Sequence, residues 1–236
     1  MTLLDIKNID VSYDDFQVIW NISMHVKEGE MVALLGPNGS GKRTILNTGS
    51  NLVPHRNGSI FFANNLISNV PTHKRTALGI SHVLERRRVF PHLTVFQNLL
   101  LGAWHLKAKE ELESSLVKVY LLFPRLEERL NQLAKTMSGG EQQMLAIARG
   151  MMGLPKLLIV DEPFLGLSPI VMKDLIKVFK DIVDTGISIL FVEQNVRLAL
   201  SMADRGYVLE SGRMVINGNS KDLIDNNEVT KIFLGK

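Results

Sequence analysis

The sequence predicts an α/β protein in which a parallel sheet is covered by helices, preceded by an antiparallel β region and interrupted by a helical insertion. Three observations lead there. The continuous apolar run Met31-Val32-Ala33-Leu34-Leu35 ends in a glycine-rich turn, and a helical pattern follows from Lys42. Such a run fits a strand buried on both faces. After Pro155 strand and helix patterns alternate, as a parallel sheet with crossover helices requires. Between these two regions, residues 94–153 are helical in character.

At the N-terminus, apolar and polar residues alternate over residues 3–11 and 19–26, giving two strands. Asp14-Asp15 and Glu28-Gly29 supply the turns that bound them. Within the helical stretch, Leu112, Leu116, Val119, Tyr120 and Phe123 fall on one helix face, and Pro124 interrupts the stripe. Beyond Pro155 the patterns read as a strand at 156–160, a helix at 169–183, a strand at 188–192, a helix at 196–202 and a strand at 206–210. No internal repeat or low-complexity linker divides the chain. The expectation is one domain over residues 1–236, with the helical segment 94–153 inserted in it.

Composition narrows the function. The 236 residues are 45% hydrophobic and 22% charged, ordinary for a globular chain able to bury its own core. With no cysteine, disulfides and cysteine-ligated zinc are excluded. The opening MTLLDIKNIDVSY lacks a signal-peptide pattern. The longest hydrophobic runs, such as 157–160 and 187–192, fall far short of the ~20 residues of a membrane span. A net charge of +3 gives no reason to expect a nucleic-acid partner, although Arg86-Arg87-Arg88 is a local basic run.

The chemistry begins at the glycine turn. Gly36, Pro37, Asn38, Gly39, Ser40, Gly41 and Lys42 fill the first seven positions of G-x-x-x-x-G-K-[ST], between a buried strand and a helix. Glycines let backbone N–H groups close on a phosphate, the helix N-terminus adds partial positive charge, and Lys42 reaches the terminal phosphates. The eighth position should be Ser or Thr, whose hydroxyl ligates Mg²⁺. Here it is Arg43, which has no lone pair to offer a metal. Arg43 either points away, leaving water at that position, or partly substitutes its charge for the metal's. Thr44 could contact phosphate, but the next helical position is turned by about 100° and substitutes poorly. Nucleotide binding is therefore the firmer expectation, and Mg²⁺-dependent hydrolysis the weaker.

Downstream, Leu157-Leu158-Ile159-Val160 delivers Asp161 and Glu162 at a strand's C-terminal end, where open α/β sheets bind ligands. Asp161 suits Mg²⁺ held through water, and Glu162 suits a general base on the attacking water. A second string, Ser138-Gly139-Gly140-Glu141-Gln142-Gln143, reads as a capped helix start whose paired glycines leave N–H groups open to an anion. A capped helix alone does not explain two glycines that weaken it.

SGGEQQ ahead of a strand ending in Asp-Glu-Pro, with the phosphate loop upstream, resembles the ATPase subunits of ABC transporters over essentially the whole chain. The resemblance implies a P-loop NTPase core bearing a helical subdomain, with ATP and Mg²⁺ as cofactors. It implies a homo- or heterodimer with a second cassette, each ATP closed between one phosphate loop and the partner's Ser138, Gly139, Gly140, Glu141 and Gln142. It also implies integral membrane permease subunits, a substrate-binding protein contacted indirectly, and a peripheral place on the cytoplasmic face of the membrane. Tyr13 matches the aromatic residue that stacks on adenine.

Segments 90–95, 122–129, 192–195 and 203–210, with the terminal Phe233-Leu234-Gly235, resemble the branched-chain amino acid importer subunits in particular. That subfamily has Gln, as at Gln194, where most of the family has His; its amide can reach the γ-phosphate but carries no proton. Glu85 stands at the metal- and water-sensing position. The departures are Arg43, Leu84 and Arg86 for the subfamily's Pro and Gly, and Phe164 for Ser in the loop at the dimer interface. Because the departures fall in functional loops, the sequence predicts a sound fold with altered hydrolysis, and a nucleotide-gated dimerisation module with little turnover stands as the second reading. A GTPase is disfavoured, since no Asn/Thr-Lys-x-Asp guanine reader occurs.

Overall fold

A computed structural model describes residues 1–234; Gly235, part of the C-terminal resemblance, lies outside the described residues. In chain order, β1 (Thr2–Tyr13) and β2 (Phe16–Lys27) form a hairpin about Asp14-Asp15, and β3 (Met31–Leu35) follows the turn at Glu28-Gly29. The glycine loop opens α1 (Lys42–Gly49). Next come β4 (Asn57–Phe62), β5 (Asn65–Leu66), α2 (Thr72–Leu78) and β6 (Ile80–Val83). The helical stretch holds α3 (Val95–Gly102), α4 (Leu106–Glu110), α5 (Leu112–Leu122), α6 (Pro124–Glu127), a 3₁₀ turn at Ala134–Thr136, and α7 (Gly139–Met151). The chain continues through β7 (Leu157–Asp161), α8 (Pro169–Asp184), β8 (Ser188–Val192), α9 (Val196–Met202), β9 (Arg205–Glu210), β10 (Arg213–Asn219), α10 (Ser220–Leu223) and α11 (Asn227–Leu234).

The strands form two sheets. One is antiparallel, ordered β2-β1-β4-β5; the other is ordered β10-β9-β3-β8-β7-β6 and is parallel except for the β10–β9 edge pair. The α/β class with an antiparallel N-terminal region and a helical insertion is what the sequence predicts. The centre of the larger sheet is buried on both faces. Met31, Ala33 and Leu35 of β3 join Leu158 and Val160 of β7 in the core beneath the helices, while Val32, Leu34, Leu157 and Ile159 fill the core shared with the antiparallel sheet. This two-sided burial explains the unbroken apolar runs, because neither side of the pleat meets water.

The stripe on α5 packs as its spacing predicts, with Val119 and Phe123 buried and Leu112, Leu116 and Tyr120 lying against the same core. Pro124 starts α6 at its first turn, where a missing N–H costs nothing. The segment from β4 to β6 carries no sequence signal, because β4 buries only Ile60 and Phe62, and β5 is two residues long. Two elements that pin α1 lie there. Arg75 of α2, only 1% exposed, donates to the carbonyls of Thr48, Gly49, Ile67, Ser68 and Val70 at 2.6–3.1 Å. His82 of β6 lies 2.8 Å from Ser50 Oγ through Nδ1, while its buried Nε2 has no partner.

Burial pushes His82 down to about 4 from 6.5. The unfolded chain therefore binds a proton that the folded chain refuses between those two pH values, and stability falls as pH drops through that window. The loss is expected to approach about 3 kcal/mol at pH 4 relative to pH 7. Urea unfolding at both pH values should show it, and His82→Gln should flatten this part of the pH dependence. An unchanged slope in the variant would rule His82 out as its source.

Candidate nucleotide site

The loop between β3 and α1 is built on positive-φ glycines: Gly36 at 150°, Gly39 at 79° and Gly41 at 99°. At Gly36 a side chain would run into the Leu209 carbonyl at 2.3 Å, and at Gly41 into Ile19 Cδ1 at 2.4 Å. The loop is thus held tight by both strand and hairpin. Lys42 Nζ folds back on the carbonyls of Gly36 and Pro37 at 2.7 and 2.8 Å. Burial lowers its pKa, and the charges of Glu162 and Asp161 work against that shift. The buried Ser40 hydroxyl has no protein partner, so the loop contains a donor that a phosphate oxygen would satisfy.

A cleft of about 390 Å³ opens over this loop, lined by Val18, Asn38, Gly39, Gly41, Lys42, Arg43, Thr44, Asp161, Glu162 and Val192. Strand pairing explains the assembly. β3 and β7 both flank β8, so the glycine loop and the Asp161-Glu162 pair emerge at the same edge. Glu162 sits in the left-handed region at φ 47°, just beyond β7, an unusual conformation for a side-chain residue and one concentrated at functional turns. Gln194 follows β8, and its amide donates to Glu162 Oε1 at 2.9 Å. The sequence assigns that amide to the γ-phosphate, whereas the geometry gives it a second task, orienting the acid. Tyr13 ends β1 beside α1, 46% exposed, with its hydroxyl 3.3 Å from Thr44 Oγ1.

Arg43 does not point away from the site. Its Nε donates to Asp161 Oδ2 at 2.6 Å, and its Nη2 forms a short ion pair with Glu85 Oε2. The guanidinium thus lies between the two carboxylates that the sequence assigns to the metal. Burial opposes the charge on Arg43, but the hydrogen bond and charge of Asp161, aided by Glu85 and Glu162, raise its pKa. Burial also pushes Asp161 up, with Arg43 pulling against it.

These residues do not fit Mg²⁺ as they stand. The ion demands octahedral oxygen ligation at about 2.1 Å, and position 43 offers it a cation instead of a hydroxyl. The Thr44 hydroxyl is engaged with Tyr13. One buried oxygen, Asp161 Oδ1, keeps an unused lone pair, but its partner oxygen and Glu85 are both committed to the guanidinium.

The second motif lies apart from this cleft. Ser138 caps α7, accepting from the Glu141 N–H at 3.4 Å, while Glu141 Oε2 accepts from the Ser138 N–H at 2.8 Å. Gln142 holds the Ala134 carbonyl at 3.0 Å. A side chain at Gly139 would displace the Arg87 guanidinium, whose Nη1 lies 2.4 Å from its Cβ position, and one at Gly140 would meet the branched Val171 Cγ1 at 2.7 Å, so the tighter constraint is at Gly140. Arg87 therefore covers the helix start, a place its basic run does not reveal. The Phe164 ring turns into the core. It is 4% exposed and packs on Phe179 at 5.8 Å, so it anchors the loop after β7 in the core.

Sequence reasoning missed the role of Glu193. This buried carboxylate accepts from the N–H groups of Phe164, Gln194 and Asn195 at 3.2, 2.9 and 3.4 Å. Burial raises its pKa against those hydrogen bonds. A signal was available, because Glu193 directly follows an apolar strand, much as the acid pair closes β7.

Comparison with known proteins bears on the family. The ABC transporter family model matches residues 19–165, more than half of the chain. A high-affinity branched-chain amino acid transport ATP-binding protein, BraG of Pseudomonas aeruginosa, is 41% identical over 233 residues, covering 99% of this chain and all of that protein. The lipopolysaccharide export ATP-binding protein LptB of Escherichia coli K12 is 30% identical, covering 100% of this chain and 98% of its own length. Among solved structures, the ADP conformation of an ATP-binding cassette superposes with a TM-score of 0.89 at 25% identity, with full coverage of both chains. The phosphate loop, the acid pair beyond β7 and the full-length relatives converge: this chain belongs to the ABC transporter ATPases.

Proposed function

We propose that this chain is the ATP-binding and ATP-hydrolysing subunit of an importer for branched-chain or other hydrophobic amino acids. The full-length 41% identity to BraG is the observation that carries the solute class. The 30% identity to LptB, an export protein, supports the opposite direction of transport less strongly. Residues 1–236 act as one nucleotide-binding domain, bound peripherally to the cytoplasmic side of its membrane partners. Among the described residues no helix is long and apolar enough to cross a membrane itself.

In this reading the phosphate loop holds ATP, Tyr13 stacks on the base, and Lys42 balances the terminal phosphates. Glu162, oriented by Gln194, polarises the attacking water. A second cassette, identical or homologous, closes the site with its own copy of Ser138–Gln142. A groove of about 370 Å³ beside β6, α3 and α7 suits a permease segment, since its lining includes the exposed Phe90, Leu101 and Trp104. The test is reconstitution with the permease subunits of a branched-chain amino acid transporter. ATP-dependent uptake of labelled leucine, isoleucine or valine is expected; outward transport, or uptake indifferent to these solutes, would reject the assignment.

The Arg43 bridge favours a second reading, a cassette that closes on ATP but turns it over slowly. Steady-state phosphate release should then be several-fold higher in Arg43→Thr than in the wild type. Equal rates would sink this reading.

A further inference from the structure

We propose that Arg43 is the site's own cation, and that the cleft binds a nucleoside triphosphate in its metal-free form. The inference rests on the nucleotide-site reading above and goes further by naming the ionic form of the ligand. Arg43 begins α1 next to Lys42, so its guanidinium rises from the same helix turn that receives the phosphates. Two of its nitrogens are fixed, Nε on Asp161 and Nη2 on Glu85, while Nη1 has no protein partner among the described residues. The side chain is 51% exposed, toward the cleft that Arg43 helps to line. A planar guanidinium tethered in this way presents its free N–H edge to an anion in a fixed orientation.

The motif's chemistry favours the same conclusion, because position 43 sets a cation where the motif has the neutral hydroxyl that ligates the metal. Adding a divalent ion would crowd it against a guanidinium already paired with the carboxylates it needs. The helix N-terminus and the unpartnered Ser40 hydroxyl supply further donors that require no metal. Asp161 and Glu85, which in the metal-dependent arrangement serve the ion, here hold the arginine in place.

Calorimetric titration of the full chain with a non-hydrolysable ATP analogue, in Mg²⁺ and in EDTA, tests this. Wild-type affinity in EDTA is expected to equal or exceed that in Mg²⁺, within about threefold. A loss of more than about threefold on removing Mg²⁺ overturns the proposal, since the guanidinium must then swing aside for the ion. Absence of binding in both buffers rejects the nucleotide site itself, a separate failure. Arg43→Thr restores the missing hydroxyl and is expected to become Mg²⁺-dependent by about tenfold or more. If the variant keeps the wild-type indifference to Mg²⁺, Arg43 is not the cause and the proposal falls. Should that variant fail to fold, the two wild-type titrations still decide.

Discussion

Replacing Glu162 with Gln is expected to lower ATP turnover by about 10²- to 10⁴-fold, the usual worth of a positioned general base, with little change in ATP affinity. The substitution is close to isosteric, and the Gln oxygen can still accept the Gln194 amide now 2.9 Å from Glu162 Oε1. What disappears is the charge that pulls on the water proton. ATP binding should hold or tighten slightly, because a carboxylate facing the phosphates beside Lys42 is removed. Phosphate release and calorimetric affinity, measured in the wild-type and Arg43→Thr backgrounds, separate these effects. A drop in turnover below about tenfold in both backgrounds would remove Glu162 from the base role.

The largest stability effect is expected at Arg75→Met, a loss of about 3–5 kcal/mol. All five guanidinium N–H groups are used, each on a backbone carbonyl, and no carboxylate is among the partners. Burial pulls the guanidinium down to about 10, so it remains protonated at neutral pH. Two of the carbonyls, Thr48 and Gly49, close the C-terminal turn of α1, where a cation also meets the negative end of the helix dipole. Methionine fills much of the volume but leaves the Gly49 and Ser68 carbonyls without a donor and takes the arginine's bond from those of Thr48, Ile67 and Val70, which keep one partner each. Urea unfolding should show the shift in midpoint at unchanged slope. A change under about 1 kcal/mol would mean that water replaces the arginine at little cost. Because α1 carries the phosphate loop at its other end, ATP affinity should weaken along with stability.

The parts legible in the sequence are those where one local rule acts alone. Buried strands β3, β7 and β8 announce themselves because both their faces are apolar, and the glycine loop because only glycine reaches its backbone angles. Arg75 is illegible in the same terms. It sits in a short helix among polar residues, and nothing local says that its five partners will close around it. Arg43 lies between these cases. The broken eighth position is plain in the motif, yet the capture of its guanidinium by Asp161 and Glu85 depends on β6 and β7 running side by side, a tertiary fact. Phe164 reads from the sequence only as a departure in its loop, and the packing against Phe179 is what shows its ring turned inward.

Glu193 has a consequence for how such a cassette can change over generations. One carboxylate fastens the backbone at Phe164 and at Gln194, so two loops with separate duties share a single peg. A mutation that reshapes the first loop tugs on the second, where the Gln194 amide holds Glu162. Lineages that revise one loop are therefore expected to revise the other in step, and variation at these two places should be inherited as pairs.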